Sequence, residues 1–119
     1  MTAAIPKLLL IHNAELINEF GDEWAVTESI SAPLEHIRIE PSRSVVRDVK
    51  SQEVTLNALL FFDCTNSRCT IPFALEGETV DGKVLLAQRV SFGGRTYTVK
   101  TIEPIYDDKR LHHYEVGLT

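Results

Sequence analysis

Cys64 and Cys69, which bracket Cys64-Thr65-Asn66-Ser67-Arg68-Cys69, and the adjacent pair His112-His113 are the residues whose types could do chemistry. A disulfide could close the cysteine loop. Free thiols are the expectation, because the chain shows no export signal and a reducing compartment keeps such pairs reduced. A C-x₄-C pair without a second pair falls short of the four ligands of a structural zinc site. His112 and His113 would have to complete it, and neighbouring residues on a strand face opposite sides. A thiol-imidazole nucleophile is a spatial arrangement that this spacing does not support. Asp107-Asp108 and Glu76 with Glu78 read as solvated turn charges rather than paired carboxylates. No P-loop, G-x-G-x-x-G, G-x-S-x-G or H-E-x-x-H motif occurs. The expectation is a protein that is not an enzyme, with no metal and no cofactor.

The elements around these residues are strands. Gln88 to Phe92, Arg95 to Ile102 and Leu111 to Leu118 read as a three-stranded antiparallel meander. Gly93-Gly94 suits a type I′ turn, which needs positive φ at both central residues. A two-residue loop sets Phe92 against Arg95, Val90 against Tyr97 and Gln88 against Val99. Val90, Phe92, Tyr97 and Val99 then share an inner face, with Arg89, Ser91, Thr96, Thr98 and Lys100 outside. Pro104 ends or edges the second strand. Beyond the polar turn Asp107-Asp108-Lys109, the residues His112, Tyr114, Val116 and Leu118 face one way, His113 and Glu115 the other.

Upstream, Asn13 to Phe20 fits a short helix capped by Asn13, or a strand with Leu16, Asn18 and Phe20 on one side. Trp24 is expected as a core plug. Trp24 to Ile30 and Glu35 to Glu40 read as two strands around Ser31-Ala32-Pro33, with Ile37 and Ile39 inward and His36, Arg38 and Glu40 outward. Residues 42–53 carry Arg43, Arg47, Asp48, Lys50, Gln52 and Glu53 with only Val45, Val46 and Val49 as apolar contacts, the pattern of a long mobile loop. Glu53 to Cys64 is the most apolar strand: Val54, Leu56, Ala58, Leu60, Phe62 and Cys64 on one face, Leu59 and Phe61 on the other. Such a strand is either sandwiched in the interior or exposes a patch to a partner. Residues 66–82 read as loop, with Asp81-Gly82 turning into the meander.

The totals bound these readings. The chain has 119 residues, 44% hydrophobic and 24% charged, which suits one domain, 1–119, with a real core. Net charge is −5, from 17 acidic and 12 basic residues, so the averaged field repels phosphate. Leu8 to Ile11 is too short for a signal h-region or a membrane span, so the expectation is a soluble protein made in a cytoplasm. The expected fold class is mainly β, a small antiparallel barrel or sandwich with the C-terminal meander and long loops.

In succession, Phe20-Gly21-Asp22-Glu23-Trp24, then residues 36–42 (His-Ile-Arg-Ile-Glu-Pro-Ser), then 60–67 (Leu-Phe-Phe-Asp-Cys-Thr-Asn-Ser), then 92–99 (Phe-Gly-Gly-Arg-Thr-Tyr-Thr-Val) and the closing 111–116 (Leu-His-His-Tyr-Glu-Val) resemble the minor capsid proteins of tailed phages and prophages. These are similar in size and pattern to head-closure, or stopper, proteins. The resemblance covers nearly the whole chain, and its motifs are structural.

It implies a small β-barrel that self-associates into a ring at the virion head-tail junction, below the portal-adaptor ring. There it would retain packaged DNA by confinement and meet tail proteins, after assembly in the host cytoplasm and with no membrane. It also implies loops that order on assembly, 42–53 and 66–82. Expected subunit or channel contacts are Arg43, Val45, Val46, Arg47, Val49, Lys50, Leu59 and Phe61. The rivals are a tail-completion protein and, from another class, an OB-like module for single-stranded nucleic acid. A third is a small-barrel enzyme using His112 or His113 with a metal.

Overall fold

The structure, a computed structural model, describes residues 4–22 and 24–119; Glu23 of the 20–24 stretch lies outside them. The described strands are β1 (His12–Gly21), β2 (Val26–Pro41), β3 (Val45–Arg47), β4 (Glu53–Thr55), β5 (Ala58–Asp63), β6 (Thr79–Val80), β7 (Lys83–Phe92), β8 (Arg95–Asp107) and β9 (Arg110–Leu118). A 3₁₀ turn, Lys7–Leu9, precedes them. Six strands run in the order β1-β2-β5-β9-β8-β7, and β7 pairs back onto β1, which closes an antiparallel barrel. β6 adds to the outer margin of β7, and β3 with β4 forms a separate two-stranded sheet. Among the described residues no helix is long and apolar enough to cross a membrane.

Period-2 alternation places Leu16, Leu34, Ile37, Ile39, Leu60, Val90, Val99, Val116 and Leu118 in one buried cluster. Each full burial stabilises by about 1.5–3 kcal/mol. The meander forms as its residues dictate. Gly93 and Gly94 take φ of 60° and 77°, and the register sets Phe92 opposite Arg95 and Val90 opposite Tyr97. Asp81 and Gly82 likewise turn with φ of 51° and 79°. The second strand of the meander runs on through Pro104 to Asp107, because in that stretch β8 pairs with β9 on one side only and a proline costs an edge little.

Asn13 to Phe20 takes the second of its two expected forms, a strand with Leu16, Asn18 and Phe20 buried. Elsewhere the structure corrects the sequence reading. Trp24 plugs nothing: it stands 84% exposed at the tip of the β1–β2 hairpin. The two strands expected around Ser31-Ala32-Pro33 are one, β2, since Pro33 sits opposite Glu15 where β2 is bonded on the β1 side alone. β2 bends at His36, whose φ is 55°, and this irregularity redirects it from β1 onto β5. The apolar strand expected over Glu53 to Cys64 is split. The Leu56 amide donates to Ser44 O and the Asn57 amide to Leu118 O, so the chain leaves the β3–β4 ribbon before β5 begins.

Residues 64–78 contain no strand, yet they are packed. Cys69, Ile71, Phe73 and Leu75 lie against the main core, and Ala74 is buried beside Phe20 and Leu85. Arg68 bridges Glu35 of β2 at one end, and Gly77 N donates to Leu85 O of β7 at the other. The segment therefore crosses the barrel mouth from the β2 side to the β7 side. A buried amide holds it: Gln88 accepts from Ala74 N at 3.1 Å and donates to Asn18 Oδ1 at 2.9 Å and Pro72 O at 3.0 Å.

Candidate functional site

Residues 42–53, expected as a mobile loop, build a β-ribbon that stands off the barrel. Val45 pairs with Thr55, Val46 with Val54 and Arg47 with Glu53. Its root is tied by the bond from Ser42 N to Asn57 O and by Arg43 Nη1, which donates to Asn57 Oδ1 at 3.2 Å. Arg47 donates to Ser51 O at 2.8 Å and lies 3.5 Å from Glu53 Oε1, an exposed pair worth under about 1 kcal/mol. The ribbon's register, rather than its ion pairs, therefore fixes where its side chains point. Val45 is 62% exposed and Val49 45%, while Val46 is half-buried against the ribbon's other strand. Arg43, Arg47 and Lys50 are exposed around them.

At the tip, Asp48 folds the turn. Its carboxylate accepts from Gln52 N at 3.0 Å and Lys50 N at 2.9 Å. The Gln52 bond foremost, then the Lys50 bond and the charges of Lys100 and Lys50, hold its carboxyl below the usual aspartate value of 3.8 against some desolvation. A lowered native value means the tip's stabilisation is complete above 3.8 and is lost as pH falls below it. Protection of the Lys50 and Gln52 amides in hydrogen exchange is expected to drop as pH falls from about 4 to about 2, with Leu60 and Val116 unaffected. Equal protection at both ends of that range would show that the carboxylate does not order the turn.

Leu59 and Phe61 lie on the outer wall of β5, both half-buried. Phe61 floors an open hollow of about 340 Å³ lined by Ile5, Leu9, Arg38 and Glu40. Arg38 Nε lies 2.6 Å from Glu40 Oε1, and Arg38 Nη1 donates to Leu9 O at 3.2 Å, which ties the N-terminal segment to the wall. The eight expected contact residues thus fall into two groups: the ribbon carries Arg43 to Lys50, and the barrel wall carries Leu59 and Phe61. Asn57 links them: it anchors the ribbon root and leads into β5.

The histidines depart from the expectation. β9 bulges between the pairs Ile105–His113 and Tyr106–Leu111, so His112 is the extra residue and does not alternate with His113. The two Nδ1 atoms approach to 2.7 Å, and His113 Nε2 lies 3.0 Å from Glu115 Oε2. Nothing in the residue types announces a bulge, which is why strand alternation missed this cluster. Among the described residues no three His, Cys, Asp or Glu side chains gather in a way that could hold a metal ion. Cys64 and Cys69 are free thiols. Burial and the neighbouring Asp63 charge push the Cys64 thiol up, and burial pushes up Cys69, so both favour the protonated, poorly nucleophilic form.

Comparison with protein families finds that the model of a family described as "Minor capsid protein" matches residues 6–118. No curated protein matches the chain. No solved structure matches it.

Proposed function

The chain belongs to the minor capsid protein family, structural proteins of phage virions, and we propose that within the virion it is the head-closure, or stopper, protein of the head-tail junction. In this reading copies assemble head to tail into a ring beneath the portal-adaptor ring, retain the packaged DNA by confinement and present a surface to tail proteins. The work is mechanical and involves no catalytic step. The observation that carries the reading is the β3–β4 ribbon. An isolated two-stranded ribbon is marginal in water, and this one leaves Val45 and Val49 uncovered by its own chain. A partner that buries what remains exposed of both would add about 1.5–3 kcal/mol per subunit, repeated around a ring. The barrel beneath supplies a rigid base, and a net charge of −5 disfavours adhesion of the retained DNA.

Val45→Asp tests this. The side chain is mostly exposed, so monomer stability should change by less than about 0.5 kcal/mol. DNA-filled heads completed with the variant should lose their DNA, whereas the wild-type protein retains it. Normal incorporation and normal DNA retention by Val45→Asp would remove the ribbon from the interface. Heads that keep DNA without the protein yet fail to bind tails would assign it to tail completion instead.

A further inference from the structure

The barrel leaves two strands open. β2 is bonded to β1 from Val26 to Ile37 and to β5 only from Arg38 to Pro41, so among the described residues no strand pairs with Val26–Leu34 on the far side. β8 is bonded to β7 only from Arg95 to Thr98, so Thr101–Tyr106 has β9 on one side and no described strand on the other. A long open edge offers unpaired amides and carbonyls to any extended chain. Exposed apolar side chains lie along both: Val26 at 50% and Ile30 at 40% on β2, Tyr106 at 60% on β8.

Their placement selects a partner. In the closed order β1-β2-β5-β9-β8-β7, β2 and β8 are three strand positions apart in either direction, on opposite sides of the barrel. Every pairing between them is antiparallel, so strand sense inverts at each step and β2 and β8 run oppositely. The open part of β2 adjoins the β1–β2 turn, and that of β8 adjoins the β8–β9 turn. β1 and β8 run in the same sense, so both openings lie at the same end of the barrel. Rotating a second copy about an axis parallel to the barrel therefore brings its β8 edge beside this β2 edge, at the same height and antiparallel.

We infer that β2 of one copy pairs edge to edge with β8 of the next, so that the ring is stitched by an antiparallel ladder between Val26–Ala32 and Thr101–Tyr106. The contact is heterologous, the kind that closes a ring. Pro104 removes one donor from the β8 edge and Pro33 marks the end of the β2 stretch, so the ladder is short and interrupted. Such a ladder forms between copies held in a ring and resists open-ended stacking in dilute solution.

The inference rests on the head-closure reading, and one experiment separates the two. The full chain with p-benzoylphenylalanine in place of Ile30 is added to DNA-filled heads and irradiated, and cross-linked peptides are sequenced by mass spectrometry. An adduct joining position 30 of one copy to residues 101–109 of another is expected, and Tyr106→Lys should abolish it. Protein that joins the heads and retains DNA, but cross-links to another segment or another protein, overturns the edge pairing and leaves head closure standing. Protein that never joins the heads overturns both.

Discussion

Gln88→Ala should lower the stability of the protein by about 3–5 kcal/mol and free the 64–78 segment. Gln88 is 1% exposed, and each polar atom of its amide is engaged. Truncation leaves Ala74 N, Pro72 O and Asn18 Oδ1 short of a partner inside the barrel, and buried groups left so cost about 1–3 kcal/mol each, less where water enters. Removal of the side chain also opens a space between β1 and the segment. Gln88→Glu is the sharper companion. It keeps an acceptor for Ala74 N, but it loses both donors and buries a charge, so it should be no milder than alanine. Urea unfolding reads the stability, and limited proteolysis reads the segment, where cleavage between residues 66 and 78 should precede global unfolding. A Gln88→Ala protein as stable and as resistant as wild type would mean that Ile71, Phe73 and Leu75 hold the segment by packing alone.

The segment shows what could and could not be read from residue order. Alternation exposed the barrel wherever a strand keeps one wet face: Val90, Tyr97, Val99 and Val116 point as their spacing requires. Gly93-Gly94 gave both turn type and register, because few other residue pairs take positive φ twice in succession. Residues 66–82 looked like spare loop because glycine and proline break every period there. What packs them is long-range: an amide on β7 that reads locally as one more polar strand residue. Trp24 misled for a related reason. A lone tryptophan favours burial in general, but here it follows the Gly21-Asp22 turn, where Asp22 Oδ1 accepts the Trp24 and Ala25 amides and holds the side chain at a hairpin tip. Pro33 was given a strand break when it needed only an open edge. Of the candidate contacts, the ribbon's valines were legible as apolar residues among charges, whereas the bulge that joins His112 to His113 leaves no local trace.

Asp63→Ala should be comparably damaging, at about 3–5 kcal/mol, and for a reason that reaches the outer wall. Asp63 is fully buried. Its Oδ1 accepts from Ile5 N at 3.0 Å, and its Oδ2 accepts from Asn66 N at 2.8 Å and Thr65 N at 3.1 Å. Asn66 returns a bond from Nδ2 to Ile5 O at 2.8 Å, and Ser67 Oγ accepts from Asp63 N and donates to His36 O at the bend of β2. The carboxylate thus fastens the N-terminal segment and the start of the 64–78 crossing to the end of β5, while the Asp63 backbone amide reaches the β2 bend through Ser67. Alanine strands three donors. Asparagine offers one acceptor oxygen and turns an NH₂ group towards donors, so Asp63→Asn should recover less than half of the loss. A neutral Asp63→Asn would show that shape, not acceptor number, fills this position. The consequence is measurable beyond stability, because Ile5, which borders the hollow over Phe61, is held by that same anchor. In Asp63→Ala the Ile5 amide should lose its exchange protection and binding of a hydrophobic dye should rise, while the β7–β8 hairpin, which shares no bond with Asp63, keeps its protection. If exchange instead rises evenly over the whole barrel, the residue acts on the global core and the N-terminal segment is held by its apolar contacts.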